Sequence, residues 1–324
     1  MSINVPPPLP QDPAKTLVAP AADVDLVESG APGVAPGMEA APTRSMFRRG
    51  LEVFAENKLA LVGTALLLAI VLFCFIGPYF YHTNQVNTDL LNANQPPGNG
   101  HPLGTDPDGY DVLGRLMAGG QISLELGFAS AVVATVLGTL WGAVAGYVGG
   151  WVDAIMMRLV DAALAIPLLF LLVVLATIIT PTPLSMILII SLASWLAIAR
   201  LVRGEALSLR VREYVQAVKV MGGGGTRIVL RHITPNAVGT IIVNATFQVA
   251  DAILFIAAIS FLGLGLAPPK TDLGGMLASG TNFISAGYWW LVYPAGFLIV
   301  LIVIAVNFIG DALRDAFEVR LQQR

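Results

Sequence analysis

Charge is scarce in this 324-residue chain: Asp, Glu, Lys and Arg together make up 12%, about half the share of an average soluble protein. That shortage excludes the pair of water-soluble domains that length alone would suggest. Cysteine is nearly absent. The lone Cys74 lies in an apolar run and cannot form an internal disulfide, so it carries no information on redox compartment. The three histidines, His82, His101 and His232, have no metal-ligand spacing with one another or with Cys74. No G-x-S-x-G is present. The nearest approach to a G-x-x-x-x-G-K-[ST] phosphate loop puts Pro269 before Lys270 and Thr271, where glycine is required. The residues therefore offer no catalytic centre, no metal site and no phosphate loop for this chain to bind ATP by itself.

What is abundant is apolar. Hydrophobic residues make up 56% and mean hydropathy is +0.75. Several runs approach or exceed the roughly 20 residues that a helix needs to cross a bilayer. The expected fold class is all-α, a polytopic membrane protein. Residues 1–45, rich in Pro, Ala, Gly and Val, are expected to be a disordered tail, and they lack the basic start and apolar core of a signal peptide. Residues 46–58 mix Arg48, Arg49 and Lys58 with Phe47, Leu51, Val53 and Phe54, the pattern of an interfacial amphipathic helix.

Six spans follow. The first is residues 59–81, closing on Gly77, Pro78 and the belt aromatics Tyr79, Phe80 and Tyr81. A polar, turn-rich segment occupies 82–121. The remaining five spans, about 122–148, 154–179, 184–200, 237–261 and 289–309, form a core over 122–324, interrupted by a polar loop at 207–236. On this count Arg44, Arg48, Arg49, Lys58, the polar loop, Arg314, Arg320 and Arg324 share one face, while Arg115 and Lys270 fall on the other. The positive-inside rule then places both termini and the loop in the cytoplasm. Gly127, Ala131, Ala134, Gly138, Gly142 and Gly146 recur at three- and four-residue spacing, which lets helix backbones approach closely.

Charges in the spans are costly and need a reason. Arg158 and Asp161 stand three apart on one helix face, and a structural ion pair is the favoured reading. Asp251 is the deepest acid, with Asn244 on the same face. A water-filled path and a bond to a neighbouring helix are both open for it, and Asn244, Asp251 and Asp161 are the candidate pathway residues.

The polar loop reads RVREYVQAVKVMGGGGTRIVLRHITPN over 210–236. Helical spacing of Glu213, Ala217 and Val220 predicts a short helix, stopped at Gly222. A second short helix is expected over 226–232 with Thr226 as N-cap, and Pro235 begins the next span. A basic loop lying on anionic lipid is the plain alternative. Tyr214, Val215, Val218 and Met221, expected to be exposed, instead suggest knobs for a protein groove.

These residues resemble the EAA loop of binding-protein-dependent ABC importers. More narrowly, the chain resembles the C-type permease subunit of the dipeptide, oligopeptide and nickel group, from the first span to the C-terminus. HPLGTDPDGYDVLGRL (101–116), SFLGLGLAPP (260–269) and NFIGDALRDA (307–316) are similar to further motifs of that group. The resemblance implies a type I importer permease fold of six spans in the bacterial inner membrane. It also implies a homologous second permease, two ATPase subunits or one fused ATPase, an extracytoplasmic substrate-binding protein and surrounding lipid, with no nucleic acid. ATP and Mg would sit on the ATPases, and this chain would bind no cofactor and be no enzyme. Glu213, Tyr214, Ala217, Val218, Met221 and Gly222, with the trailing Arg231, His232, Pro235 and Asn236, would couple to the ATPase. Asp106, Asp108, Asp111 and Arg115 would contact the binding protein or the partner permease. The chain departs from the group's pattern at Ile256, at Glu318-Val319 and over Gly223 to Gly225. Peptide is the expected cargo, with nickel, haem and glutathione-like compounds open. Two readings of other classes are an ion-coupled secondary transporter, which asks for inverted repeats and broken helices not visible in the sequence, and a membrane scaffold that transports nothing.

Overall fold

The computed structural model describes residues 54–98 and 100–322, with side chains through Phe317. The expected tail over 1–45 and most of the expected interfacial helix lie outside the described residues. At the described end of that helix, Asn57 interrupts: its Oδ1 accepts the N–H groups of Leu59 (3.0 Å) and Ala60 (3.3 Å) and caps the first span.

Among the described residues the regular structure is helical: α1 Lys58–Phe75, α2 Val112–Val148, α3 Gly150–Leu164, α4 Leu168–Ile178, α5 Pro183–Leu209, α6 Glu213–Val220, α7 Gly225–Ile228, α8 Val238–Ile259, α9 Leu273–Thr281 and α10 Tyr293–Gln322. Among the described residues five helical stretches, of 18 to 37 residues, are long and apolar enough to cross a membrane, which takes roughly 20 residues. A sixth span is available only by counting α3 and α4 together, and these are bent by 84°. The uninterrupted span expected over 154–179 is therefore corrected. Pro167 is the N-cap of α4, and its extended ψ of 123° ends the helical path, because proline disfavours helical backbone before it and supplies no N–H.

The other spans keep their expected places with shifted ends: α1 and α8 are shorter than expected, and α2, α5 and α10 are longer. α2 begins at Val112, ten residues before the expected start, because Asp111 Oδ1 accepts the Gly114 N–H at 2.8 Å and caps it there. α5 continues to Leu209. α9 lies between the fifth and sixth spans, and its Leu273 and Met276 join a core with Ile70, Cys74, Leu116, Ile253 and Leu298.

The small residues of α2 do what their spacing predicts. A Cβ on Gly142 would stand 2.3 Å from the Ala199 carbonyl oxygen, and one on Gly138 would stand 2.7 Å from that of Trp195. α2 and α5 thus meet backbone to backbone, and Ser191 Oγ donates across the seam to the Ser130 carbonyl at 3.1 Å.

Candidate functional site

The polar loop forms a compact projection on the ends of α2 and α5. In α6, Val215 is 1% exposed and packs with Ala206, Ile228 and Ile233, flanked by Tyr147, Leu209 and Val218. Val215 was expected among the exposed knobs and is instead the anchor. It sits on the inner face of the helix, opposite Tyr214, Ala217 and Met221. Burying one valine stabilises the attachment by roughly 1.5–3 kcal/mol. Tyr214 (41%) and Met221 (78%) are exposed, as are Glu213, Ala217 and Gly222, while Val218 is half-buried. Glu213 lies in the first turn and Lys219 in the last, both favourable to the helix dipole.

The helix ends as the glycine predicts. Gly222 has φ +81°. Its N–H bonds to the Lys219 carbonyl at 3.1 Å and the Gly223 N–H to that of Val218 at 2.9 Å, the two bonds of a Schellman motif. Gly224, not Thr226, is the N-cap of α7. The expected second helix is a single α-turn, Gly225–Ile228, that passes into a π-helical turn, Val229–Ile233. Arg231, Pro235 and Asn236 are exposed and His232 half-buried; Asn236 Nδ2 donates to the His232 carbonyl at 2.5 Å. Arg210 Nη1 donates to the Gly146 carbonyl at 3.1 Å, fastening the loop's entrance to α2.

The four residues expected on the external face are mostly turned inward. Asp111 is 3% exposed and Arg115 6%. Asp111 Oδ2 accepts the Tyr81 hydroxyl at 2.9 Å and lies 2.8 Å from His101 Nδ1. Arg115 bonds Asp106 Oδ2 at 3.3 Å and the Pro269 carbonyl at 2.7 Å, and its guanidinium covers the Tyr110 ring at 3.8 Å. Burial pushes the Asp106 carboxyl up despite Arg115. Asp108 alone of the four is exposed. Trp290 Nε1 donates to the Thr105 carbonyl at 3.3 Å, so the entry aromatic of the last span also braces this segment. Gly109 has φ +80°, and a Cβ there would strike the Asp89 carbonyl oxygen at 1.9 Å, which fixes glycine in the DPDG turn.

Within the spans, the expected Arg158–Asp161 pair does not form. Asp161 reaches across to Arg200 Nη2 at 2.5 Å. Asp153 takes Arg203 in a two-pronged pair at 2.5 and 2.7 Å. Both acids of α3 find cations on α5 rather than on their own helix, because α3 lies alongside the charged end of α5. Asp251 makes no hydrogen bond or ion pair among the described residues, and Asn244 Nδ2 only returns to the Thr240 carbonyl at 2.8 Å. Asp161 and Asp251 are thus not brought together. Sequence reasoning missed Ser260 and Asp272. Ser260 Oγ donates to Asp272 Oδ2 at 2.8 Å, Asp272 Oδ1 caps α9 through Gly274 and Gly275 at 2.9 and 3.1 Å, and Ser123 Oγ accepts the Leu273 N–H at 3.1 Å. Burial pushes the Asp272 carboxyl up, opposed by these bonds. The signal was Ser260 heading the SFLGLG motif, with an acid just before the next helical run.

Apolar spans around a close-packed helix pair, with a small helix projecting from one end, define a multi-pass membrane permease of the type I importer fold. The chain belongs to the binding-protein-dependent transport system inner membrane component family, whose model matches residues 138–323. A second model, the N-terminal TM domain of oligopeptide transport permease C, matches residues 45–97. The chain is 40% identical over 277 residues to the oligopeptide transport system permease protein OppC of Escherichia coli (strain K12), covering 85% of this chain and 91% of that protein. The protein of the same name from Bacillus subtilis (strain 168) is 36% identical over 279 residues, 86% and 91% of the two chains.

Proposed function

We propose that this chain is one permease subunit of an ATP-driven importer of oligopeptides. It would form half of the translocation path with a homologous permease and receive cargo from an extracytoplasmic binding protein. It would be driven by ATPase subunits that hold the nucleotide and Mg, so the chain itself is not an enzyme. Both termini and the 207–236 loop lie in the cytoplasm, and 82–121 belongs to the external face, where exposed Asp108 meets the binding protein or partner permease. The observation that carries the reading is α6: an eight-residue helix anchored by Val215, with Tyr214 and Met221 outward. It is shaped for a groove on another protein, and relatives at 36–40% identity are named as oligopeptide permeases.

The mechanism is differential contact. ATP draws the ATPases together and α6 moves with them. Because α6 is packed on Ala206 of α5 and Ile228 and Ile233 leading into α8, its displacement passes to those two spans. The path then faces outward, and hydrolysis resets it. This requires the ATPase to hold α6 differently in its two states.

Glu213→Lys and Gly222→Val test the coupling role in the reconstituted complex. Lysine in the first turn opposes the helix dipole, and valine is strained at φ +81°. ATP hydrolysis should continue while uptake falls. Uptake unchanged in both variants would remove α6 from the coupling path. Affinity purification in mild detergent should recover a second permease and phosphate-loop ATPases. The 84° break between α3 and α4 is a feature that a secondary transporter would share. Asp161 beside it is already paired with Arg200, so it is not free to carry a coupling ion.

A further inference from the structure

α8 carries a polar face inside an apolar span. Thr240, Asn244 and Asp251 fall on one side of the helix at i, i+4 and i+11. Thr240 Oγ1 donates to Glu205 Oε1 of α5 at 3.0 Å, so a second acid joins the same side. Gln248 borders it one turn before Asp251. It is 8% exposed and makes no side-chain hydrogen bond among the described residues, so a further amide borders the polar face.

Asp251 itself is exposed. It lies eight residues before the end of α8 at Ile259, about 12 Å along the helix axis. An aspartate facing hydrocarbon at such depth costs about 2.5–3.5 kcal/mol even on insertion scales, and no cation among the described residues reaches it. Elsewhere in the spans, Asp153 and Asp161 each have an arginine within 2.5 Å. Glu125 and Glu205 have no cation but are each held by a side-chain hydrogen bond, from Gln121 and Thr240; Asp251 has neither kind of partner among the described residues. Water on that face removes the cost, and a mobile cation arriving through the water completes the pair.

Building on the peptide-importer reading, we infer that Asp251 is the cation-recognising group of the translocation path, taking the ammonium group of a passing peptide, with Asn244 and Glu205 extending the lane toward the cytoplasmic end of α8. The α-amino group of a peptide, with pKa about 7.7–8.0, is charged at pH 7. A single carboxylate flanked by amides attracts it without closing a cage around it, so binding is weak enough for passage.

The test uses the full complex in liposomes. Asn244→Cys places a thiol on the lane about 10 Å from Asp251, while native Cys74 is fully buried and supplies the unreactive background. A cationic methanethiosulfonate should label Asn244→Cys severalfold faster than an anionic one, and adding Asp251→Asn should erase that preference. Asp251→Asn alone should slow uptake of alanine tripeptide about tenfold and leave its N-acetylated form unchanged, with Asp251→Glu restoring the free peptide. A thiol closed to both reagents, equal labelling rates, or equal loss for both peptides would overturn the assignment. Charge-biased labelling of Asn244→Cys, together with a wild-type complex that imports neither peptide, would overturn the peptide reading and the ammonium ligand, while leaving the lane's preference for cations standing.

Discussion

Gly142 of α2 lies in the α2–α5 seam and Gly204 of α5 stands in open space, and the same substitution should move stability in opposite directions. A Cβ on Gly142 would lie 2.3 Å from the Ala199 carbonyl oxygen and 2.9 Å from the Arg203 amide nitrogen. Both are backbone atoms in the middle of α5, so no rotamer change relieves the clash and the helices must part. Overpacking costs about 1–3 kcal/mol, and an unyielding backbone places Gly142→Ala at the upper end. Against this stands the gain of about 1 kcal/mol for alanine over glycine in a helix interior, leaving a net loss near 2 kcal/mol. Gly204 of α5 has open space at its Cβ position, so Gly204→Ala should keep the propensity gain of about 1 kcal/mol. The two variants should therefore differ by about 3 kcal/mol. Chemical unfolding in detergent micelles, followed by near-UV circular dichroism, measures the difference directly. Equal stability of the two variants, or a destabilised Gly204→Ala, would refute the argument that the α2–α5 approach is limited by backbone contact.

Double-mutant cycles on the two α3–α5 ion pairs should rank Asp153–Arg203 above Asp161–Arg200. The first is two-pronged and mostly buried on the acid side, whereas the second has side chains 54% and 55% exposed; the expected couplings are about 1.5–3 and about 0–1 kcal/mol. Arg115→Lys should destabilise the external segment by about 1–3 kcal/mol, because an ammonium cannot at once bond Asp106, bond the Pro269 carbonyl and cover Tyr110, and faster proteolysis between 82 and 111 would report it. Asp272 has its carboxyl raised by burial from the ordinary 3.8, so the folded state favours the proton. Its contribution is fully present below 3.8 and is lost as pH rises through the raised value. Asp272→Asn keeps an N-cap oxygen but is neutral throughout, and melting temperatures measured from acid to neutral pH should lose that share of the decline.

Much of this architecture is legible in the residues. Apolar runs locate the spans, the α2 glycines announce the close seam, and Gly222 announces the end of α6. The misses share a cause: they depend on which element lies opposite. Three-residue spacing on one helix suggested Arg158 for Asp161, but Arg200 on another helix presents a better-placed guanidinium. Val215 reads as one apolar residue among several until the Ile228 and Ile233 turn folds beneath it. Pro167 reads as tolerable within a long apolar run, since neighbouring helices in a membrane can satisfy freed backbone groups, and only the packing of α3 beside α5 and of α4 against other helices produces a bend of 84°. Asp106, Asp111 and Arg115 have the composition of a docking surface, and it takes the fold of the loop to show Asp106 bonded to Arg115 and Asp111 to Tyr81 and His101.

Val215 also sets the leverage available to whatever grips α6. Its side chain is the one fully buried contact of that helix, and Met221 lies six residues further on, an arm of about 9 Å. A force applied at Met221 acts on this pivot as a torque, turning the helix as well as pushing it. The Schellman bonds at Gly222 and Gly223 stiffen the far end of the arm, so the torque is delivered to the Ile228–Ile233 turn instead of being dissipated in the glycine run. On the proposed coupling role, rotation more than translation would be the motion this joint passes on, and lengthening α6 by even one turn would change the stroke.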